Sequence, residues 1–250
     1  MTQNRYHGYP SPMRTITKPD ETHPLLIAVS GKLGCGKSTV ANYLKSIYNA
    51  AICPFAFGVK TEVYDFLTGK KILGTRFANA LATREQFEIV DAAIDALANT
   101  VRPVLPSDEE KVLWIDARKN VLRPILQLYG TEYRRNQDPG YWITKNVQRI
   151  ERLRSNGCVA IVVDDMRFHN EAQALSEIGF TIVKVVVHNA EQLRRVLARD
   201  GSIDVKNLSH ASELQSDSMA ANHIIDNSGE QYELVAELEN IVSLILNNGV

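Results

Sequence analysis

Residues 25–39 read LLIAVSGKLGCGKST, and this stretch decides the fold class. Its first five residues are all apolar, which is typical of a strand buried on both faces of a parallel sheet. After Ser30, the eight residues from Gly31 to Ser38 fit the pattern G-x-x-x-x-G-K-S. Residues 37–48 then place apolar side chains at helical spacing. A strand, a glycine-rich turn and a helix in this order predict a phosphate-binding P-loop.

The residue types of this loop suit the phosphates of a nucleotide. Glycine allows backbone N–H groups to turn inward around an anion, and the following helix adds the positive end of its dipole. Lys37 is expected to reach the β- and γ-phosphates, and the Ser38 hydroxyl to bind Mg²⁺. The sequence therefore predicts binding of ATP and Mg²⁺. The predicted nucleotide contacts in this loop are Gly31, Gly34, Cys35, Gly36, Lys37, Ser38 and Thr39.

Further apolar runs outside the loop predict the rest of the sheet. They lie at residues 159–163, 181–187 and 223–225, and residues 50–54 are a weaker candidate. Helical patterns alternate with them, which favours an α/β fold of the P-loop kinase type, with a parallel five-stranded sheet flanked by helices. Helices are predicted at residues 37–48, 57–67, 84–97, 119–135, 140–154, 171–178, 190–199 and 231–246, and a loop at 102–108.

Composition excludes several classes of protein. The 250 residues carry 28 Lys and Arg against 29 Asp and Glu, so the net charge of −1 gives no overall attraction to nucleic acid or anionic lipid. No apolar run approaches the roughly 18 residues that span a bilayer. The three cysteines have no metal-ligand or disulfide spacing, so a reduced, cytoplasmic protein is expected.

Charged side chains directly follow the apolar run at residues 159–163. In open α/β sheets, the carboxyl ends of the strands face the ligand crevice. Asp164 is a candidate for holding Mg²⁺ through water, and Asp165 for orienting an acceptor hydroxyl or taking its proton. The guanidinium of Arg167 can pair with a phosphate. A solvated turn after the strand is the alternative interpretation.

Two arginines later in the chain fit phosphoryl transfer. Arg195 and Arg199 lie four residues apart, on one face of a predicted helix. Arginines that close over a phosphate neutralise the charge of the transition state. A solvated basic face explains this spacing equally well. Asn227, in a turn after the last predicted strand, is a candidate for the adenine edge, although such a turn also simply starts a helix.

The role of the segment at residues 126–135 is harder to predict from its residues. Gln127, Thr131, Arg134 and Arg135 lie at helical spacings and can offer hydrogen bonds and positive charge to a base and a phosphate. A helix with a polar face is the favoured alternative for this segment. Trp142 is likewise more often a core residue than a stacking surface.

Taken together, these segments resemble the deoxynucleoside monophosphate kinases of tailed bacteriophages, which phosphorylate dNMPs to dNDPs with ATP. The combination L-Q-x-x-G-T-E…W with D-x-R-F-x-N-E-A is much narrower than the P-loop alone. The resemblance extends from about Leu25 to Leu246. The segments that carry it are residues 30–39, 55–60, 83–88, 126–135 with Trp142, 164–171 and 224–229.

The resemblance implies a small-molecule acceptor, a dNMP, with defined contacts. Lys60, Arg167 and either Arg134 or Arg135 would surround its phosphate. Asp165 and Gln127 would lie near its sugar or base, and Arg195 and Arg199 belong to the lid of this kinase class. The substrate-binding residues implied are Lys60, Arg84, Gln127, Thr131, Arg134, Arg135, Trp142, Asp165 and Arg167.

The same comparison predicts the organisation of the chain. Residues 1–24 are polar and rich in proline, so they are expected to be a flexible extension. Residues 25–250 would form the kinase domain, with an acceptor-binding insertion at about 68–118 and a lid at about 190–212. If the source is a phage, the protein would act in the host cytoplasm.

Two other functions remain open from the sequence. The segment with Gln192 and Asp200-Gly201 also resembles dephospho-coenzyme A kinase, which phosphorylates a ribose hydroxyl. A P-loop protein can also act as a nucleotide switch without turnover. No nucleic-acid or membrane partner is expected, and the sequence leaves a homodimer open.

Overall fold

The computed structural model describes residues 18–69, 77–97, 105–201 and 218–248. Their strands form one parallel sheet in the order β2-β3-β1-β4-β5, flanked by helices, as the sequence predicts. The flexible extension predicted at residues 1–24 lies mostly outside the described residues, and so do residues 202–212 of the lid predicted at 190–212. The strands are β1 (Leu25–Ser30), β2 (Ala51–Ile52), β3 (Ala160–Val163), β4 (Thr181–Val186) and β5 (His223–Asp226).

Strand β1 forms the centre of the sheet because its whole length is apolar enough to be covered on both faces. Every residue of β1 is buried, and the strand pairs with both β3 and β4. Strand β2 is shorter than the predicted run at 50–54. The Ala50 amide bonds to Leu44 O at the end of the preceding helix, and Pro54 has no amide to offer. The Cys53 amide still donates to Val162 O at 2.8 Å.

Contacts divide the described chain into two compact units. The sheet unit comprises the described residues up to Pro54 and those from Arg149 onward, and the helical unit comprises Phe55–Gln148. The helical unit is therefore longer than the insertion predicted at 68–118. Since it lies between β2 and β3 in the chain, the sheet unit is discontinuous in sequence.

The core of the sheet unit lies between the strands and two helices, α1 (Lys37–Tyr48) and α9 (Gln231–Asn248). Alternate β1 residues Leu25, Ile27 and Val29 pack there with Leu44 and Leu238. The other helices of this unit are α7 (His169–Glu177) and α8 (Asn189–Asp200), and α6 (Tyr141–Ser155) runs across the boundary at Arg149.

The helical unit contains α2 (Ala56–Leu67), α3 (Arg84–Ala96), α4 (Asp108–Asp116) and α5 (Lys119–Gln127), and residues 77–80 are also helical. Helix α4 was not predicted as a separate helix. Its signal is the capping box of Ser107 and Glu110, in which each side chain bonds the other residue's amide. The loop predicted at 102–108 lies partly outside the described residues.

The helix predicted over residues 119–135 is present, but its hydrogen bonding changes within its length. Helix α5 ends at Gln127, and Leu128–Arg135 form a π-helix. Pro124 interrupts the α-helical hydrogen bonding just before the change. Gly130 then packs closely against Val59, since a methyl group on Gly130 would lie 3.1 Å from a Val59 side-chain carbon. Such π-helical segments occur often at functional sites.

None of the helices in the described part of the chain is both long enough and apolar enough to cross a membrane.

The central strand should dominate the stability of the sheet unit. We expect Ile27→Ala to lower the free energy of unfolding by about 3 kcal/mol, because Ile27 is fully buried between sheet neighbours. Ile224→Ala in β5 is the matched control, and its effect should stay within about 0.5 kcal/mol, because Ile224 is 64% exposed. Urea denaturation of both variants measures the difference, and equal losses would contradict the burial argument.

Candidate active site

The loop after β1 has the backbone geometry of a phosphate cradle. Gly31, Gly34 and Gly36 have φ angles of 136°, 79° and 111°, which side chains strongly disfavour. A methyl group on Gly31 would collide with the Val185 carbonyl, and one on Gly36 with the Asn227 side chain. On Gly34 it would lie 2.9 Å from Val196 Cγ2, so all three glycines are required both by their conformation and by close packing.

Lys37 begins α1 and folds back over the loop. Its Nζ donates to Gly31 O at 2.6 Å and to Lys32 O at 2.9 Å. Ser38 is exposed in the first turn of α1, and the Thr39 amide donates to Gly36 O. Lys37 and Ser38 therefore both lie in the first turn of α1, at the end of the glycine loop.

These residues fit a nucleotide phosphate and its metal ion. The glycine cradle would be filled by any Cβ, and Lys37 supplies a cation beside it. Ser30, directly before the loop, is fully buried, and its hydroxyl has no hydrogen-bond partner among the described residues. Buried polar groups of this kind are rare and mark places where a ligand or water completes the bonding.

The outer side of the loop is held by amide side chains. Gln192 Nε2 donates to Leu33 O at 2.8 Å, and Asn227 Nδ2 donates to Cys35 O at 2.8 Å. Both side chains belong to buried residues, and Cys35 itself is fully buried. The structure therefore places the Asn227 side chain against the loop and not at an exposed adenine edge. The sequence analysis named Gln192 only as part of the segment that resembles dephospho-coenzyme A kinase, and it did not predict the contact with the loop.

Polar residues do follow β3, as predicted. Asp164, Asp165 and Arg167 are half-buried after its last residue, in the sheet unit. The backbone here is fixed by Glu171, whose Oε2 accepts from the Arg167 amide at 2.8 Å and from the Phe168 amide at 3.1 Å. Glu171 is only 2% exposed, so this turn is held by a buried carboxylate.

The two lid candidates lie differently on α8. Arg195 donates through Nε to Glu191 Oε1 at 2.6 Å and through Nη2 to Asn227 O at 2.8 Å. Hydrogen bonds from Arg194 and Arg195 lower the pKa of Glu191 to about 2. Arg199 is exposed one turn further on. In this structure Arg195 therefore fixes the turn that carries Asn227, whereas Arg199 remains at the surface.

The helical unit is built around a buried carboxylate, Glu62 in α2. Its Oε1 accepts from the Tyr141 hydroxyl at 2.6 Å and from Lys145 Nζ at 2.7 Å. Its Oε2 accepts from the Tyr129 hydroxyl at 2.6 Å and lies 3.2 Å from Arg134 Nη2. Two cations face one carboxylate, so this Glu62 cluster carries excess positive charge.

The Glu62 cluster keeps its charges ionised. Burial raises the pKa of Glu62, but hydrogen bonds from Lys145, Tyr129 and Tyr141 outweigh it, and the net shift is downward. Burial lowers the pKa of Lys145, yet the hydrogen bond to Glu62 raises it overall. Burial and the hydrogen bond to Glu62 both raise the pKa of Tyr129.

The π-helix separates two arginines that the sequence could not distinguish. Residues four or five positions apart share a face of a π-helix. Arg134 accordingly contacts Tyr129, donating to its hydroxyl at 2.9 Å, and its side chain is 15% exposed. Arg135 falls on another face, with Thr131 and Gln127, and all three are half-buried.

The remaining acceptor candidates are spread over the helical unit. Lys60 pairs with Asp116 at 2.7 Å, and its side chain is 12% exposed. Arg84 lies at the surface at the start of α3, where it pairs with Glu88 at 2.8 Å. Trp142 is 3% exposed and donates to Gly130 O at 2.8 Å. The structure therefore places Trp142 in the core and not on an exposed stacking surface.

A small cavity lies on a further face of the π-helix. Its volume of about 90 Å³ is below the roughly 150 Å³ of a cavity that accepts benzene, so it is too small for a nucleobase. The lining residues are Phe77, Ala80, Leu81, Gln86, Leu128, Glu132, Tyr133 and Gln137.

Within the described ranges, no group of three or more His, Cys, Asp or Glu side chains could hold a metal ion by itself. A Mg²⁺ ion at the loop would therefore depend on Ser38, a carboxylate such as Asp164, and the oxygens of the nucleotide.

Comparison with known proteins agrees with this geometry. The strand, cradle and helix define a nucleotide-binding P-loop protein. A family model described as an AAA domain matches residues 27–215, about three quarters of the chain, so the chain belongs to this P-loop, kinase-like family. No curated protein matches the sequence.

Among solved structures, the crystal structure of TT1252 from Thermus thermophilus is similar to this chain. The two are 19% identical, with a TM-score of 0.41, and the match covers 88% of this chain and 97% of that one.

The Glu62 cluster should make the helical unit sensitive to acid. Because the pKa of Glu62 is lower when folded than when unfolded, its contribution is complete above the ordinary carboxyl pKa and is lost as pH falls through the folded value. Wild type should therefore lose more unfolding free energy than Glu62→Gln between about pH 5 and pH 3.

At neutral pH, Glu62→Gln should cost about 2 kcal/mol, because it removes the charge of a buried carboxylate that pairs with Arg134, which is 15% exposed, and with the more exposed Lys145. Glu88→Gln is the control, since the Arg84–Glu88 pair is exposed and worth at most about 1 kcal/mol. Urea unfolding across this pH range measures both, and parallel pH profiles for wild type and Glu62→Gln would refute the assignment.

Proposed function

We propose that the protein is a deoxynucleoside monophosphate kinase, which transfers the γ-phosphate of ATP to a dNMP. The observation that carries the proposal is a second set of cations beyond the nucleotide loop. They belong to the helical unit inserted between β2 and β3, where Lys60 pairs with Asp116, Arg134 and Lys145 pair with Glu62, and Arg135 lies on another face of the π-helix. A nucleotide switch needs the loop alone, whereas a kinase with an anionic acceptor needs further cations.

The residues of the sheet unit suit the donor half of this reaction. Lys37 would bind the β- and γ-phosphates, and Ser38 with Asp164 would hold the magnesium ion. Bound Mg²⁺ supplies neutralisation of charge on the transferring phosphate. The loop amides and the α1 terminus would keep the phosphates in line for transfer.

Attack by the acceptor on ATP requires little acid–base catalysis. A phosphate oxygen of the dNMP is already ionised near neutral pH, so it can attack the γ-phosphorus directly. The bond from that phosphorus to the β-phosphate oxygen breaks, and ADP leaves. Arg167 would neutralise charge on the acceptor phosphate, while Asp165 would orient the acceptor without taking a proton.

Between the two neighbouring arginines, Arg135 is the better candidate for the acceptor phosphate. Arg134 is committed to the Tyr129 hydroxyl and to Glu62 inside the helical unit. Its guanidinium also lies 4.7 Å from the centre of the Tyr141 ring. Moving it to a ligand would leave a buried carboxylate with one cation fewer.

The proposal is tested by ADP release from ATP-Mg with a panel of acceptors. The panel contains dAMP, dGMP, dCMP, dTMP, dUMP, modified dNMPs, the ribonucleotides and dephospho-coenzyme A. Turnover with one or more dNMPs is the expected result. Turnover with dephospho-coenzyme A alone would replace the proposal by transfer to a ribose hydroxyl, and silence with ATP still bound would favour a switch.

We expect Lys37→Ala to reduce phosphoryl transfer at least about a hundredfold, because the cation beside the transferring phosphate is lost. Circular dichroism should show a folded protein. Lys45→Ala removes an exposed lysine from the same helix and should keep wild-type turnover. Near wild-type turnover in Lys37→Ala would contradict the assignment of this loop to the transferring phosphate.

The two arginine variants should separate binding from stability. Arg135→Gln should raise the acceptor KM about tenfold or more while the ATP KM stays the same, because a charge-assisted hydrogen bond to phosphate is lost. Arg134→Gln should instead lower the melting temperature and change the acceptor KM less. Steady-state kinetics and thermal unfolding measure both, and the reverse pattern would assign the phosphate to Arg134.

A further inference from the structure

We propose that Gln192 and Asn227 are positioning residues of the nucleotide site, which aim the amides of the phosphate-binding loop from its outer side. The inference concerns nucleotide binding by the P-loop and does not depend on the identity of the acceptor. Neither side chain is aimed at the phosphates. Each acts through a backbone carbonyl of the loop.

The first contact comes from α8. Gln192 is 6% exposed, and its Nε2 donates to Leu33 O at 2.8 Å. The same helix closes the tip of the loop, because a Cβ on Gly34 would lie 2.9 Å from Val196 Cγ2. A single face of α8 therefore fixes the position of the loop tip by packing and its orientation by a hydrogen bond.

The second contact comes from the turn after β5. Asn227 is 6% exposed, and its Nδ2 donates to Cys35 O at 2.8 Å. The turn itself is fixed by Arg195, which donates to Asn227 O at 2.8 Å and is anchored to Glu191. Helix α8 therefore acts on the loop twice, directly through Gln192 and through Arg195 on Asn227.

Because of the geometry of the peptide bond, a contact that holds a loop carbonyl outward also turns the next residue's amide inward. In a planar trans peptide, the C=O and N–H groups point in opposite directions. Leu33 O shares its peptide with the Gly34 amide, and Cys35 O shares its peptide with the Gly36 amide. Holding both carbonyls outward directs the two glycine amides to the inner side, where a phosphate would accept from them.

Glycine makes such external support necessary. Gly34 and Gly36 have left-handed backbones that side chains disfavour, but glycine itself resists rotation of the peptide only weakly. Without Gln192 and Asn227, the loop would spend less time in the orientation that binds phosphate. Preorganised donors bind better because no ordering is required when the ligand arrives.

The test uses two substitutions at one position. Gln192→Met keeps an unbranched chain of similar length and removes the donor, and Gln192→His restores an N–H donor. We expect Gln192→Met to weaken binding of ATP-Mg and ADP about tenfold, and Gln192→His to recover at least half of the loss on a logarithmic scale. Isothermal titration without any acceptor measures both constants.

Asn222→Ala is the matched control, because it also removes the hydrogen bond of a side-chain amide. The Asn222 side chain accepts from the Ile182 amide at 2.7 Å in the same sheet unit, away from the loop. We expect its nucleotide affinity to stay within twofold of wild type even where its stability falls. Hydrogen exchange should show faster exchange at residues 31–37 in Gln192→Met and not in Asn222→Ala.

Two results would overturn the proposal. One is nucleotide affinity within twofold of wild type for Gln192→Met, and the other is an equal loss of affinity in Gln192→Met and Asn222→Ala. If Gln192→Met does not fold, Asn227→Ala replaces it, with the same expected tenfold loss and the same exchange measurement. Since no acceptor is present, these outcomes are independent of the result of the acceptor panel.

Discussion

The left-handed backbone at Gly31, Gly34 and Gly36 is the constraint on which the rest of the sheet unit depends. A loop turned in this way can wrap an anion, and Lys37 at its end holds the carbonyls of Gly31 and Lys32. Its walls come from elsewhere in the chain, with Val185 beside Gly31, Val196 beside Gly34 and Asn227 beside Gly36. Strand β4, helix α8 and the turn after β5 thus complete a site that begins at β1.

The helical unit contains a buried charge, Glu62, which is likewise held by residues from distant parts of the chain. A buried carboxylate is costly unless each of its oxygens is paired, and Glu62 receives two hydroxyls and two cations. The arrangement fixes α2, the π-helix and the start of α6 against one another through charged groups. Within the Glu62 cluster, one positive charge is left unbalanced by the single carboxylate.

The sequence predicted most of the fold and the inner side of the site, because these depend on local patterns. The apolar run at β1 and the G-K-S sequence after it are sufficient to identify the loop, and the five strands follow from similar runs. The outer side of the loop was not predictable in this way. Gln192 meets Leu33 across 159 positions and Asn227 meets Cys35 across 192, and no local pattern reports such a pairing.

The same limit explains the errors in the helical unit. Glu62 looks like an ordinary polar residue of an amphipathic helix, and its partners Tyr129 and Tyr141 lie 67 and 79 positions away. The π-helix has only 8 residues, which is too short for its longer repeat to be distinguished from that of an α-helix in the sequence. The Ser107 and Glu110 capping box is the exception, a local signal from which α4 could have been predicted.

The insertion of the helical unit between β2 and β3 also determines when the sheet can form. Leu25 in β1 pairs with Ala160 in β3, so 160 − 25 = 135 positions separate the two partners. A ribosome adding about 5–20 residues each second takes several seconds to cover that distance. During that interval β1 has been made and its neighbours have not, and an apolar strand with open edges is prone to pair with other chains. Assembly of the sheet therefore waits for the second half of the chain, and folding in the cell is exposed to aggregation at its first strand.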